Sequence, residues 1–284
     1  MTEKERQEVL CKLQVYDAIY RNDGAFHLSG AEMEVYQTCA RNEEILTFDK
    51  ARLLSILAIN LNKEPLYDFQ LDAMCSYAKP LIEKRPYLEF FHHNRIQATV
   101  AACIHDSVSD KIILLKIAKP NGIIYDYTEG TLTFPQGHVA ITNDTYKIAI
   151  KNGNLRHVLN ENINREIYEE LDNADGYERT GVWGIEAISS LARSAPIYPI
   201  YVDKVGSSEK HICFLYDIDM VSHHNDWFNT HPEASIEESI NDPTIISNEP
   251  TKHSVCVPKI FDIHKIATSN ICPWVLRALG IISI

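Results

Sequence analysis

The sequence has no CxxC pair. Its cysteines stand at 11, 39, 75, 103, 213, 256 and 272, an odd number and widely scattered. That argues against a disulfide framework and against a zinc site built on cysteine. Reduced thiols in a cytosolic compartment are the expectation. No apolar run approaches the roughly 20 residues needed to cross a bilayer. The opening MTEKERQEVLCK is charged and has no apolar signal core, so a soluble, cytoplasmic chain without a membrane partner is expected. Lys/Arg-rich runs are also missing, and the formal net charge is -12. Such a surface repels polyphosphate backbones, which disfavours extended nucleic acid as a partner. A small phosphorylated ligand stays open if a cation bridges it to acidic residues. There is no internal repeat and no low-complexity segment.

What is present is globular in composition: 284 residues, 45% hydrophobic and 23% charged, enough for one large domain or two small ones. Residues 1–85 read as a helical N-terminal region. EKERQEVLCKLQVYDAIYR, SGAEMEVYQTCAR, DKARLLSILAINLN and DFQLDAMCSYA carry helical spacing, with Ser29 and Asp49 as N-caps and Pro80 closing the last. Near 96 the texture changes. IQATVAACIHD and KIILLKIA read as a hairpin around SVSD. TLTFPQGHVAI reads as a strand entering a loop at Pro135-Gln136-Gly137, and 154–172 as a helix. VWGIEAISSLA, IYPIYVDKV, EKHICFLYDIDM and SVCVPKIFDI read as strands, and CPWVLRALGI as a closing helix. Residues 95–284 therefore form an α+β or mixed α/β domain.

On the 154–172 helix, Leu159, Ile163, Ile167 and Leu171 step by four and form a stripe for packing on the sheet. Glu166, Glu169 and Glu170 are three and four apart, so their carboxyl groups converge beside that stripe. Arg165, four before Glu169, can hold one of them. Two readings stand side by side. An acidic helix face is commonly just solvated. Alternatively, like charges at this spacing weaken a helix unless a divalent cation reverses the sign, and Mg²⁺ takes such hard oxygen donors. Gly137, ahead of the helix, offers backbone angles that let a carbonyl approach a ligand.

Together FPQGH and REIYEELD resemble the signature of the Nudix (MutT-like) hydrolases. Arg165, Glu166, Ile167, Tyr168, Glu169 and Glu170 match the family's REUxEE core position by position, and Gly137 stands for its opening glycine. In the family that glycine lies fourteen residues before the arginine; here the gap is 165 minus 137, or 28, and ITNDTYKIAIKNGN is the insertion. The family's intermediate glutamate falls on His157 and its closing glycine on Asp172.

The resemblance implies a Nudix-like α/β/α sandwich with a mixed sheet over 95–284; the small helical domain over 1–85 lies outside it. It implies hydrolysis of a diphosphate linkage in a nucleoside diphosphate derivative or similar small phosphorylated molecule. Glu166, Glu169, Glu170 and the Gly137 carbonyl would bind Mg²⁺ or Mn²⁺, with Arg165 orienting the carboxylates. A base on the helix, or Glu237, Glu238 or Glu249, would activate water. His138 and Arg193 are candidate substrate contacts, and Lys116 and Lys119 candidate phosphate cations. Trp183, Trp227, Tyr125 and Tyr127 could stack on a base, while Trp274 reads as core and Glu161 as solvated. Loops 118–131 and 222–253 would set selectivity, and exposed N-terminal helix faces offer a homodimer contact. The alternative is a non-catalytic nucleotide-sensing or protein-interaction module on the same fold.

Overall fold

The computed structural model describes residues 45–57, 64–80, 95–119, 131–141, 144–172, 185–203, 210–223, 233, 245–247, 254–256, 258–266 and 270–282. The helices expected before residue 45, and most of loops 118–131 and 222–253, lie outside them. In chain order the strands are β1 (Leu46–Asp49), β2 (Ala78–Pro80), β3 (Arg95–Asp106), β4 (Lys111–Lys119), β5 (Leu132–Thr133) and β6 (Gln136–His138). They continue with β7 (Ile197–Asp203), β8 (Lys210–Asp219), β9 (Ile245–Ser247), β10 (Ser254–Cys256) and β11 (Lys259–Asp262). The helices are α1 (Lys50–Leu57), α2 (Asp68–Cys75), α3 (Asp144–Lys151), α4 (Leu155–Ile167), α5 (Ile185–Ala192) and α6 (Pro273–Ile282).

β3 organises the sheet. On one side it runs parallel to β8, from Gln97 opposite His211 to His105 opposite Asp219. On its other side it pairs antiparallel with β1, then β6, then β4. Its side chains alternate between the two faces, as strand geometry requires. Ile96, Ala98, Val100, Ala102 and Ile104 join a core with Leu155, Leu159, Ile163, Ile167 and Ile188. Ala101 and Cys103 join a second core with Val275, Ala278 and Leu279 of α6. The sheet is thus mixed and covered by helices on both faces. Phe134 and Trp274 meet edge-on at 5.5 Å in the second core, where the sequence placed that tryptophan. Among the described residues no helix is long and apolar enough to cross a membrane.

The expected stripe on α4 holds, since Leu159, Ile163, Ile167 and Leu171 are all fully buried. At roughly 2 kcal/mol per buried aliphatic side chain, that row anchors the helix to the sheet. The hairpin forms around residues 107–110, with Asp110 at a φ of 53°. ITNDTYKIAIKNGN contributes α3, which leads directly into α4.

Four expectations are corrected. Within VWGIEAISSLA, expected to be a strand, Ile185–Ala192 is instead α5, with Ile188, Ser189 and Ala192 buried and Glu186 and Ser190 exposed. Its short apolar run fits either period, and packing on α4 selects the helical one. The region expected to be wholly helical contains β1 and β2, which pair with each other and, through β1, with β3. Leu46, Phe48, Leu53, Leu71 and Met74 share the first core. Pro80 lies in β2, the end strand of the sheet among the described residues, where a missing N–H is tolerated, rather than ending a helix. Finally, Gln136 and Gly137 belong to β6 and not to a loop.

Four cysteines, Cys75, Cys103, Cys213 and Cys272, are buried free thiols. Burial raises the pKa of Cys75 and Cys272 to about 11 and of Cys213 to about 12. Burial, aided by Asp217, also pushes Cys103 well above its ordinary value. Since the thiolate is the reactive form, none of the four should be alkylated by iodoacetamide at pH 8 within the time that unfolded protein reacts fully. Peptide mass spectrometry reads this directly, and rapid labelling of Cys213 in native protein would contradict the burial.

Candidate functional site

α4 begins at Asn154, whose side chain accepts the His157 N–H at 3.2 Å. His157, at the family's glutamate position, therefore sits in the helix's first turn. The helix does not end as α. Tyr168–Asp172 form a π-helical turn, so Glu169 and Glu170 lie on a wider coil than Glu166. A wider turn advances each residue by less than the α-helix's roughly 100° and brings Glu170 back beneath Glu166. Such π-turns recur at functional sites.

The carboxylates are not alike. The Glu166 side chain is 0% exposed, Glu169 37%, and Glu170 is buried. A solvated acidic face would expose all three, so the bland reading fails for two of them.

α4 meets the β6 segment at four successive heights, running antiparallel to it. Glu170 Oε2 accepts the Gln136 N–H at 2.9 Å. The Glu166 carboxyl group occupies the space where a side chain at Gly137 would begin. Arg165 Nη2 donates to the His138 carbonyl at 3.0 Å. Asn162 then bridges the two backbone groups of Ala140: its Oδ1 accepts the Ala140 N–H at 2.8 Å and its Nδ2 donates to the Ala140 carbonyl at 3.1 Å. Gly137 is thus required for room and not for an unusual φ. That corrects the conformational reason expected from the sequence.

Arg165 is the hub of the charges. Its Nη2 donates to Glu166 Oε1 at 2.6 Å, and its Nε stands 3.8 Å from Glu169 Oε1. A carboxylate taken wholly out of water costs several kcal/mol unless a cation and hydrogen bonds compensate. For Glu166 the guanidinium supplies part of that compensation.

The other expected residues fall elsewhere. Gly137 faces α4, so its neighbour His138 points to the opposite face of the sheet. There the His138 ring lies 6.3 Å from the ring of His211. Arg193, directly after α5, is exposed, and its carbonyl accepts from Asn160 Nδ2 at 3.4 Å. No contact among the described residues joins it to the carboxylates. Lys116 is buried within the sheet beside β5, and Lys119 closes β4. Glu161 is exposed, as expected. Glu237, Glu238, Glu249, Tyr125, Tyr127, Trp183 and Trp227 lie outside the described residues. Sequence reading missed Asn162. Its signal was a polar residue inside the apolar arc of α4, beside Ile163 and one turn before Glu166.

Among the described residues no three His, Cys, Asp or Glu side chains are gathered closely enough to hold a metal ion on protein ligands alone. The donor set nevertheless has the right chemistry. Mg²⁺ commonly takes one or two carboxylates, keeps several waters and completes its shell with substrate phosphate. Glu166 and Glu170, brought to adjacent residues of one strand, meet that requirement.

No protein-family model matches the sequence, and no curated protein does. Solved structures do. A Nudix hydrolase from Nitrosomonas europaea is 14% identical, the match covering 66% of this chain and 88% of that one at a TM-score of 0.33. Tm1382, provisionally assigned as a Nudix hydrolase, is 13% identical over 62% of this chain and 76% of its own, at a TM-score of 0.37. Likeness at that level assigns neither substrate nor activity.

Proposed function

We propose that this chain is a divalent-metal-dependent hydrolase of a diphosphate linkage in a nucleoside diphosphate derivative or a similar small phosphorylated molecule. The supporting observation is the pair of buried carboxylates, Glu166 and Glu170, held against Gln136 and Gly137 beside the half-exposed Glu169 and Arg165. Buried like charges at helical spacing destabilise a fold on their own, yet here a glycine leaves space for one of them.

Mg²⁺ or Mn²⁺ would be held by Glu166, Glu170 and Glu169, with the Gly137 carbonyl as a further donor. When bound, the ion would polarise a phosphoryl oxygen and lower the pKa of a coordinated water. The chain's own residues supply position and charge. Arg165 fixes Glu166 through the 2.6 Å contact, and its Nε stands 3.8 Å from Glu169 Oε1. Glu169, the most exposed of the three, can take a proton from an attacking water at a carboxylate oxygen. Glu237, Glu238 and Glu249 are the loop alternatives for that role. Hydrolysis at phosphorus then needs alignment and charge neutralisation more than covalent chemistry.

The test is a panel of nucleoside diphosphate derivatives incubated with purified protein and Mg²⁺ or Mn²⁺. Product release should require the metal and fall about a hundredfold or more in Glu169→Gln, the scale of losing a general base. No product from any member, with no effect of the substitution, would refute the reading. One observation favours a second reading, a nucleotide-sensing module: Glu166 and Glu170 are already engaged by Arg165 and the Gln136 N–H. Its mark is tight binding with the ligand recovered intact.

A further inference from the structure

We propose that Asn162 is a positioning residue for this site, setting the register at which α4 meets β6. This extends the functional reading above, but its structural half stands without any metal. The side chain is buried. It spans both backbone groups of Ala140, and its Nδ2 also reaches the Val158 carbonyl at 2.9 Å. It therefore fills most of the hydrogen-bonding capacity of a primary amide and imitates, with one side chain, the paired contacts of a neighbouring strand.

The position of that clamp gives it its role. Ala140 lies two residues beyond the end of β6, and the segment is held on its far side by the Leu46 N–H on the Val139 carbonyl and the Val139 N–H on the Ala98 carbonyl. Asn162 lies one turn before Glu166 and two before Glu170. Fixing Asn162 on Ala140 places Glu166 over Gly137 and Glu170 on the Gln136 N–H. Apolar packing decides which face of α4 meets the sheet, and the Asn162 contact adds a fixed point along its axis. A two-point contact to the N–H and the carbonyl of one residue ties Asn162 to that position. Asn162 combines this two-point geometry with a place one turn away from Glu166, so it can set the place of the charges without joining their chemistry.

The experiment compares wild type, Asn162→Ala and Asn154→Ala in the full chain. Asn154→Ala removes the α4 N-cap and weakens the helix without touching its register. The first readout is amide hydrogen exchange at Gln136 in metal-free protein, since that N–H is held by Glu170. Exchange should speed up at least tenfold in Asn162→Ala and stay near wild type in Asn154→Ala. Equal exchange in the two variants would overturn the proposal, because helix weakening alone would then explain it. Should Asn162→Ala fail to fold, Asn162→Ser takes its place: its hydroxyl can bond the Val158 carbonyl within the helix but cannot span Ala140. The second readout is Mn²⁺ affinity, expected to fall tenfold or more in Asn162→Ala only. Failure of wild type itself to bind Mn²⁺ counts against the metal reading and leaves the exchange result to decide on Asn162.

Discussion

Gly137→Ala is expected to abolish divalent-metal binding while costing the fold only about 1–3 kcal/mol, the usual penalty for overpacking a filled site. The added methyl group would lie inside the Glu166 carboxyl group. The backbone of Gly137 cannot retreat readily, because it pairs with Val100 in the middle of β3. The end of the Glu166 side chain is the movable partner, so it swings out and leaves Arg165. Stability then suffers moderately and the site suffers completely. A double variant separates this from general damage. In a Glu166→Ala background the alanine at 137 meets no carboxyl group, so its cost should shrink towards zero, a coupling measurable by urea unfolding. An equal cost in both backgrounds would mean that Gly137 is required for some reason other than room for Glu166.

Arg165→Ala is expected to destabilise the protein by about 2–3 kcal/mol. Breaking a fully buried ion pair costs roughly 3–5 kcal/mol, because the remaining charge stays out of water. Here the Glu166 side chain is fully buried, but that of Arg165 is 30% exposed, so solvent screening reduces the figure. The loss also removes the donor to the His138 carbonyl. Arg165→Lys should recover less than half, since a single ammonium cannot reproduce the fork that reaches His138, Glu166 and Glu169 together. Urea denaturation of the three proteins checks this, and a change below about 0.5 kcal/mol in Arg165→Ala would place the pair among inert surface contacts.

Much of the arrangement was legible in the letters wherever one element's own periodicity decides it. The four-residue step of Leu159, Ile163, Ile167 and Leu171 gave the buried face of α4, and the β-branched runs gave β3 and β4. The acidic cluster was visible as a cluster. Its division into two buried carboxylates and one half-exposed was not, because that depends on which strand lies opposite and on a π-turn that no short sequence pattern announces. Gly137 and Glu166 are 29 positions apart, and their contact is a tertiary fact. β1 was missed because four residues ahead of a helix cap carry too little alternation to stand out. α5 was misread because its apolar residues satisfy both periods until a neighbour selects one. Asn162 shows the reverse case: a polar residue inside an apolar arc signals that something polar lies across from it, here the backbone N–H and carbonyl of Ala140.

The central claim is that Glu166 and Glu170 are buried to hold a cation. It is tested most directly by calorimetric Mn²⁺ titration of wild type and of Glu166→Gln/Glu170→Gln, each with a non-hydrolysable dinucleotide present to complete the metal shell. One ion bound by wild type and none by the double variant, with both proteins folded, is the predicted result. Equal binding by the two, or none by either, would contradict it and leave these carboxylates as parts of the packing between α4 and β6.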